Sequence, residues 1–422
     1  MLRLCCCVVA AATLCAVALI PTRATGAEPA PLTLQEAVGR ALQLAPTIAA
    51  TAAQSDLDSA KVREARAPLY PSISANAEYM DAPGYDPTIS NNGISTGILV
   101  LDYVAFDGGR RMAQVRAARY AAEASALGVR AAQAQIVFDT TVAYYDLLRA
   151  REEQQELRAS LERLTSHVAI VEALERSGRA IANDVLKIRT TRNSAELVLA
   201  SARQAVAHAS IVLGSLIGTF GDTDLRVAPI SGLASPPNGQ VTQNPTLMAA
   251  QRQVNAAALA VTAAQAERYP TLKLQLTTGY EGVYPRQTIR RFGGASYDGM
   301  LSVPIFQGGL VAAHIDEAKA QQHMATAQVR QVELQLKRDL ADASMRYDNA
   351  GQQLDILQRS QATAEDAYAL DWTRFLGGGN VTLLEVIDAY QQAETLKVTR
   401  IEQEFAARQA AAQAALILGI AQ

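Results

Sequence analysis

Cysteine is missing from everything after the first 27 residues: Cys5, Cys6, Cys7 and Cys15 all fall in the opening segment. A chain trimmed of that segment has no thiol, disulfide or cysteine metal site, which permits an oxidising compartment and excludes thiolate chemistry. Basic excess is missing too, since 38 Lys and Arg face 41 Asp and Glu. No electrostatic footprint for a phosphate backbone exists, so no nucleic-acid partner is expected. Past residue 27, no run reaches about 18 consecutive apolar residues, so an ordinary membrane-crossing helix is not expected and a membrane-embedded part has to be strands.

Catalytic signatures are equally scarce. There is no P-loop, no GxSxG elbow and no dinucleotide fingerprint. The four histidines, His167, His208, His314 and His323, are scattered through helical tracts without an HExxH or a carboxylate triad. A non-enzymatic chain with no cofactor and no metal site is the expectation.

What is present begins with an address. Arg3, an apolar run from Leu4 to Ile20 and the small exit Thr25-Gly26-Ala27 make residues 1–27 a secretory signal peptide. Cys15 follows Leu14 inside an unfinished apolar run, so no lipid anchor is expected.

The sequence also contains one unit twice. Ala45-Pro46-Thr47-Ile48 recurs as Asn244-Pro245-Thr246-Leu247, and Leu69-Tyr70-Pro71-Ser72-Ile73 as Arg268-Tyr269-Pro270-Thr271-Leu272. Phe106-Asp107-Gly108-Gly109 returns as Phe306-Gln307-Gly308-Gly309, and Gly178 through Asp184-Val185-Leu186 as Gly379 through Glu385-Val386-Ile387. Four echoes in order at nearly constant spacing point to duplication. The units are a first repeat at 28–218 and a second at 244–422, joined by a proline-bearing linker at 219–243.

Each unit divides by element type. Proline is absent between Pro87 and Pro229 and after Pro304, and those tracts are rich in Ala, Gln, Arg, Glu and Leu. Good helix formers without a breaker predict very long helices, with the tract from Gly109 to Ser177 making a rod of about 100 Å. Gly178 and the run Gly377-Gly378-Gly379 are where a rod reverses, so each unit ends in a helical hairpin. Thr33-Leu34-Gln35-Glu36 is a capping box that starts a helix.

Between helices the period drops to two. Ile73, Ala75, Ala77 and Tyr79 alternate with polar neighbours, as do Leu272, Leu274 and Leu276; second strands carry Leu99, Leu101 and Tyr103, and Leu301 and Val303. Turn residues at Pro83-Gly84 and Gly293-Gly294 separate them. A sheet of four strands cannot close, so in a bilayer several chains have to share one barrel, aliphatic faces to lipid. Tyr79, Tyr103, Tyr280 and Tyr297 are candidate interfacial aromatics.

With these pieces in order, the chain resembles the TolC family of outer-membrane efflux proteins across essentially the whole sequence after the leader. The opening Leu32-Thr33-Leu34-Gln35-Glu36-Ala37 with Ala41-Leu42 and Pro46 carries the likeness. So do the Phe-x-Gly-Gly strand exits, the Tyr-Pro strand starts and the Gly…Asp-Val-Leu hairpin returns. The resemblance implies a mainly α chain with membrane β: long antiparallel hairpins forming an α-barrel, and four strands per chain making a 12-stranded barrel in a homotrimer. It implies a gated exit duct of a tripartite efflux or type I secretion system, in the cell outer membrane with its tunnel in the periplasm. The implied partners are a periplasmic adaptor protein, an inner-membrane pump of the RND, ABC or MFS class, and outer-membrane lipid.

The resemblance also carries residues over. Glu385 and Asp388 take the positions of the acids that ring the periplasmic constriction. Their spacing of three puts both on one helix face, where a threefold axis gathers six carboxylates and is expected to raise their pKa values. Asp184 takes the position of a residue that latches the closed state by pairing with an arginine. The site of that arginine is Val381 here, so a differently wired closed state is expected, with Arg179 or Arg374 as substitutes. The hairpin tips, at Gly178, Arg179, Gly378, Gly379 and Asn380, are where the adaptor is expected. The rival reading is a structural periplasmic coiled-coil protein without channel activity. The alternating strands inside each repeat argue against it.

Overall fold

The computed structural model describes residues 31–81, 93–230, 232, 235–283 and 294–420. The leader over 1–27 and the turns at Pro83-Gly84 and Gly293 lie outside the described residues, as does the Tyr280 side chain.

Helix α1 (Leu34–Leu44) starts at the expected capping box: the Thr33 hydroxyl accepts from Glu36 N–H, and the Glu36 carboxylate accepts from Thr33 N–H at 3.1 Å. Pro46 then opens α2 (Pro46–Arg66) in its first turn, where a missing N–H costs nothing. Two strands follow, β1 (Ser72–Asp81) and β2 (Gly93–Phe106), and then a hairpin of α3 (Arg110–Arg176) and α4 (Ala182–Ile217). After the linker the order repeats as α5 (Pro245–Ala266), β3 (Thr271–Val283), β4 (Gly294–Ser302), α6 (Leu310–Leu376) and α7 (Leu383–Leu418). Helices α3 and α6 have 67 residues each, and α4 and α7 have 36 each.

Both strand-to-rod junctions use paired glycines. Gly108 and Gly109 stand at φ 66° and 87°, and Gly308 and Gly309 at 60° and 85°. A side chain in that region costs about 1–2 kcal/mol. At Gly108 a Cβ would also lie 2.7 Å from the Tyr269 Cβ. The Phe-x-Gly-Gly motif is therefore the bend that converts a strand into a rod.

The four strands form one antiparallel sheet in the order β1-β2-β3-β4. Its register pairs Ile73 with Leu101, Leu101 with Leu276, and Leu276 with Tyr297. Directly opposed residues share a face, so the four alternating patterns merge into one apolar surface. The opposite face carries the row Ser72, Asp102, Gln275 and Asp298, where Gln275 donates to Asp102 at 2.8 Å. The outer edges of β1 and β4 have no partner strand among the described residues.

The long helices form a layer, with α4 on α3, α3 on α7 and α7 on α6. Asn244 splices α5 onto the end of α7: its amide donates to the Ile417 carbonyl at 2.9 Å, while its oxygen caps α5 at Thr246 N–H. The main core joins α1, the middle of α3, the end of α4, the linker and α7 around Tyr144, Leu147, Leu213 and Phe405. The Tyr144 hydroxyl lies 2.9 Å from the Leu32 carbonyl and 2.8 Å from that of Ala228.

Helix α4 departs from the sequence expectation in one respect, because by length and mean hydropathy it is apolar enough to cross a membrane. Much of that apolarity has a local use: Val206, Ala209, Leu213 and Ile217 are buried in the main core.

Candidate functional site at the hairpin tips

Both hairpins reverse through the same hydrogen-bonded turn. Gly178 N–H donates to Glu175 O at 2.9 Å and Arg179 N–H to Leu174 O at 2.8 Å; Gly378 donates to Phe375 O and Gly379 to Arg374 O at 3.2 and 2.8 Å. This is the Schellman arrangement, which needs a left-handed residue after the cap; Gly178 at φ 75° and Gly378 at φ 76° supply it. Gly178, Arg179, Gly378, Gly379 and Asn380 are all exposed, and Arg374 is exposed as well.

Arg179 reaches from the first tip to the second, where its guanidinium donates to the Leu376 carbonyl in the last turn of α6. Beneath it, Leu164, Val171, Ile188, Leu383, Ile387 and Tyr390 pack α3, α4 and α7 into one apolar cluster.

Two of the three carried-over acids sit in the first turn of a helix, and Asp388 follows one turn on. Glu385 is the third residue of α7: its carboxylate accepts from Thr382 N–H at 2.7 Å and from the Thr382 hydroxyl at 3.0 Å, while that hydroxyl accepts from Glu385 N–H. Asp184 holds the equivalent place in α4 and accepts from Ile181 N–H at 3.4 Å, but Ile181 has no hydroxyl to complete the box. The Thr382 amide and then its hydroxyl hold the Glu385 carboxyl below its ordinary value. The rise expected from a crowded acidic ring concerns three chains together and is a separate effect from this one-chain cap. Glu385 and Asp388 are both exposed one turn apart, while Val386, Ile387 and Tyr390 of the same turns are buried.

A second set of contacts, farther from the tips, ties α3 to the second hairpin. The Tyr390 hydroxyl lies 2.6 Å from the Ser160 hydroxyl and donates to the Ser160 carbonyl at 3.1 Å. Arg163 bridges Glu156 and Glu394 at 2.9 and 2.8 Å, and Lys397 bridges Glu156, Glu365 and Glu394. Burial pulls Lys397 down, but the Glu394 and Glu156 carboxylates outweigh it and leave the ammonium above its ordinary value. Burial likewise works against the Glu156 carboxylate, yet Arg163 and Lys397 hold it below the usual range.

The family described as outer membrane efflux protein matches residues 37–219 and again 240–419. The chain belongs to that family. Among relatives of this efflux protein, CyaE of Bordetella pertussis is 27% identical over 72% of this chain and 66% of its own length. The outer membrane protein TolC of Escherichia coli is 24% identical over 82% of this chain and 73% of its own. The crystal structure of the transmembrane channel protein CusC superposes with a TM-score of 0.84 at 19% identity, covering 91% of both chains. The efflux protein therefore shares its fold with outer-membrane channels, and the sequence reading holds for the family, for a mainly α chain carrying a four-stranded antiparallel sheet, and for the outer-membrane setting.

Sequence reasoning missed Ser160, Arg163, Tyr390, Glu394 and Lys397 in the efflux protein. Their only advance signal is an acid-base pattern on α3 and α7, which a solvated helix face shows equally well.

Proposed function

We infer that the chain is one third of a gated, passive outer-membrane duct, catalysing nothing itself and driven by an inner-membrane pump of the RND, ABC or MFS class through a periplasmic adaptor. The observation that carries this is the pair of unsatisfied edges. Among the described residues, the β1 and β4 edges end the sheet, and α4 and α6 end the layer of long helices in the same chain. Along α4, Leu186, Leu197, Val198, Ile211 and Val212 are exposed, and along α6 so are Met324, Leu334, Met345, Ile356 and Leu370. Open strand edges cannot stand in lipid, and two different apolar stripes on opposite edges suit a head-to-tail contact that closes as a ring. Three chains would give 12 strands in one barrel and continue it as a helical tunnel.

The two-repeat reading draws support from the equal helix lengths and from the double family match. In the closed state the tunnel narrows at Glu385 and Asp388, with Asp184 at the neighbouring helix start. Arg179 on the Leu376 carbonyl, Tyr390 on Ser160 and Arg163 on Glu394 do the latching that Val381 cannot. Gly178, Gly378, Gly379 and Asn380 form the adaptor-facing tips.

The test is single-channel recording of the purified protein in planar bilayers, for wild type and for Arg163→Ala combined with Tyr390→Phe. Small discrete steps that grow in the double variant support the gated duct. Steps of equal size in both would remove the latch, and correctly assembled protein that inserts without conducting would overturn the duct itself.

A further inference from the structure

The one tryptophan of the chain, Trp372 on α6, has its ring centroid 3.9 Å from that of His167 on α3. Tyr368 and Tyr390 close the cage edge-on, with centroids 6.1 and 6.3 Å from the imidazole. The Tyr368 hydroxyl lies 2.5 Å from His167 Nε2, while Nδ1 is buried with no partner. A neutral imidazole needs one donor and one acceptor contact, but an imidazolium carries two donors and a charge. Here the second donor would be buried unsatisfied in an apolar cage.

The surrounding charges make protonation harder. Arg163, one turn away on α3, is a like charge. Glu394 on α7 is already held by Arg163 and Lys397, and Glu365 on α6 by Lys397. Helix α4 contributes the apolar Val185 and Ile188 to the same cluster, and its Arg189 pairs with Glu172. Every nearby carboxylate in these contacts already has a cationic partner.

His167 belongs to the first hairpin, and Tyr368, Trp372 and Tyr390 belong to the second. We propose that His167 is an acid sensor whose protonation parts the two hairpins at this contact. Burial, and then Arg163, hold the imidazole below its ordinary value. The packed arrangement thus binds fewer protons than one with His167 in water. Acidification therefore favours the parted form, starting as pH falls below about 6.5 and growing until the depressed value is reached. The consequence for conductance rests on the gated-duct reading; the sensing itself does not.

Trp372 reports the event directly, because no other tryptophan contributes. Emission of the purified, detergent-solubilised protein is followed from pH 8 to pH 4 for wild type and His167→Gln. Wild type is expected to red-shift as Trp372 leaves its cage, with a midpoint below the ordinary imidazole value of about 6.5, and His167→Gln to show no such transition. An equal shift in His167→Gln, or a wild-type midpoint at or below about 4.5, where carboxylates titrate, would overturn the proposal. The wild-type midpoint decides the matter even where His167→Gln fails to fold. Absence of channels in bilayers would sink the duct reading and leave this result untouched.

Discussion

Tyr390 on α7 sets its hydroxyl 2.6 Å from the Ser160 hydroxyl on α3, with both side chains buried. The residues are 230 apart in sequence, so this contact ties the second hairpin to the first. Tyr390→Phe keeps the ring in its cluster and leaves the Ser160 hydroxyl buried without its partner. The expected cost is about 1–3 kcal/mol, read as a lower thermal midpoint and a larger channel conductance. An unchanged midpoint would show that the pin contributes nothing.

The charge cluster around Arg163 sets a pH dependence of its own. The Glu156 carboxyl is held below its ordinary value, so the folded state binds fewer protons there than the unfolded chain. Its contribution is present above the usual carboxylate value of about 4.3 and is lost as pH falls through the depressed one. Thermal stability of wild type should fall over that acid range, and Glu156→Gln, lacking the contribution already, should fall less steeply. Parallel curves for the two would refute the linkage.

The two hairpins differ at one cap. Thr382 completes a box with Glu385, whereas Ile181 leaves the Asp184 carboxylate a single long hydrogen bond and the Asp184 N–H turns instead to the Ile181 carbonyl at 2.9 Å. Ile181→Thr should add a side-chain acceptor to the main-chain bond already there and stabilise the start of α4 by about 0.5–2 kcal/mol, slowing hydrogen exchange at the Asp184 amide. Thr382→Ala should speed exchange at the Glu385 amide. Equal exchange before and after either change would mean that the caps do not hold these helix starts.

The elements that sequence revealed are those with local causes. Absent proline, the Gly-Gly bends at 108–109 and 308–309, period-two alternation and the Thr33–Glu36 box each act within a few residues, so the rods, strands and reversals could be placed. The contacts between the two hairpins have no such cause. Arg179 bonds a main-chain carbonyl, which any residue at 376 would offer, and Ser160–Tyr390 and Arg163–Glu394 depend on how two long helices cross. Glu385 shows the converse: its place near the tip was legible, but its hydrogen bonds to Thr382, which lower its carboxyl within one chain, were not.

Asn244 makes a splice between helices that share no backbone continuity. Asn244→Ala removes the α5 cap and leaves the Ile417 carbonyl without its amide donor. A loss of about 1–2 kcal/mol is expected, with faster exchange in the last turn of α7 and the first of α5. Faster exchange in only one of the two helices would show that the splice is not shared.

The most direct test of an acid-lined duct is its ion selectivity. Reversal potentials are recorded in planar bilayers under a potassium chloride gradient for wild type and for Glu385→Ala combined with Asp388→Ala. The account predicts cation preference in wild type and a marked loss of it, with larger conductance, in the double variant. Identical selectivity and conductance in the two would contradict a constriction at Glu385 and Asp388.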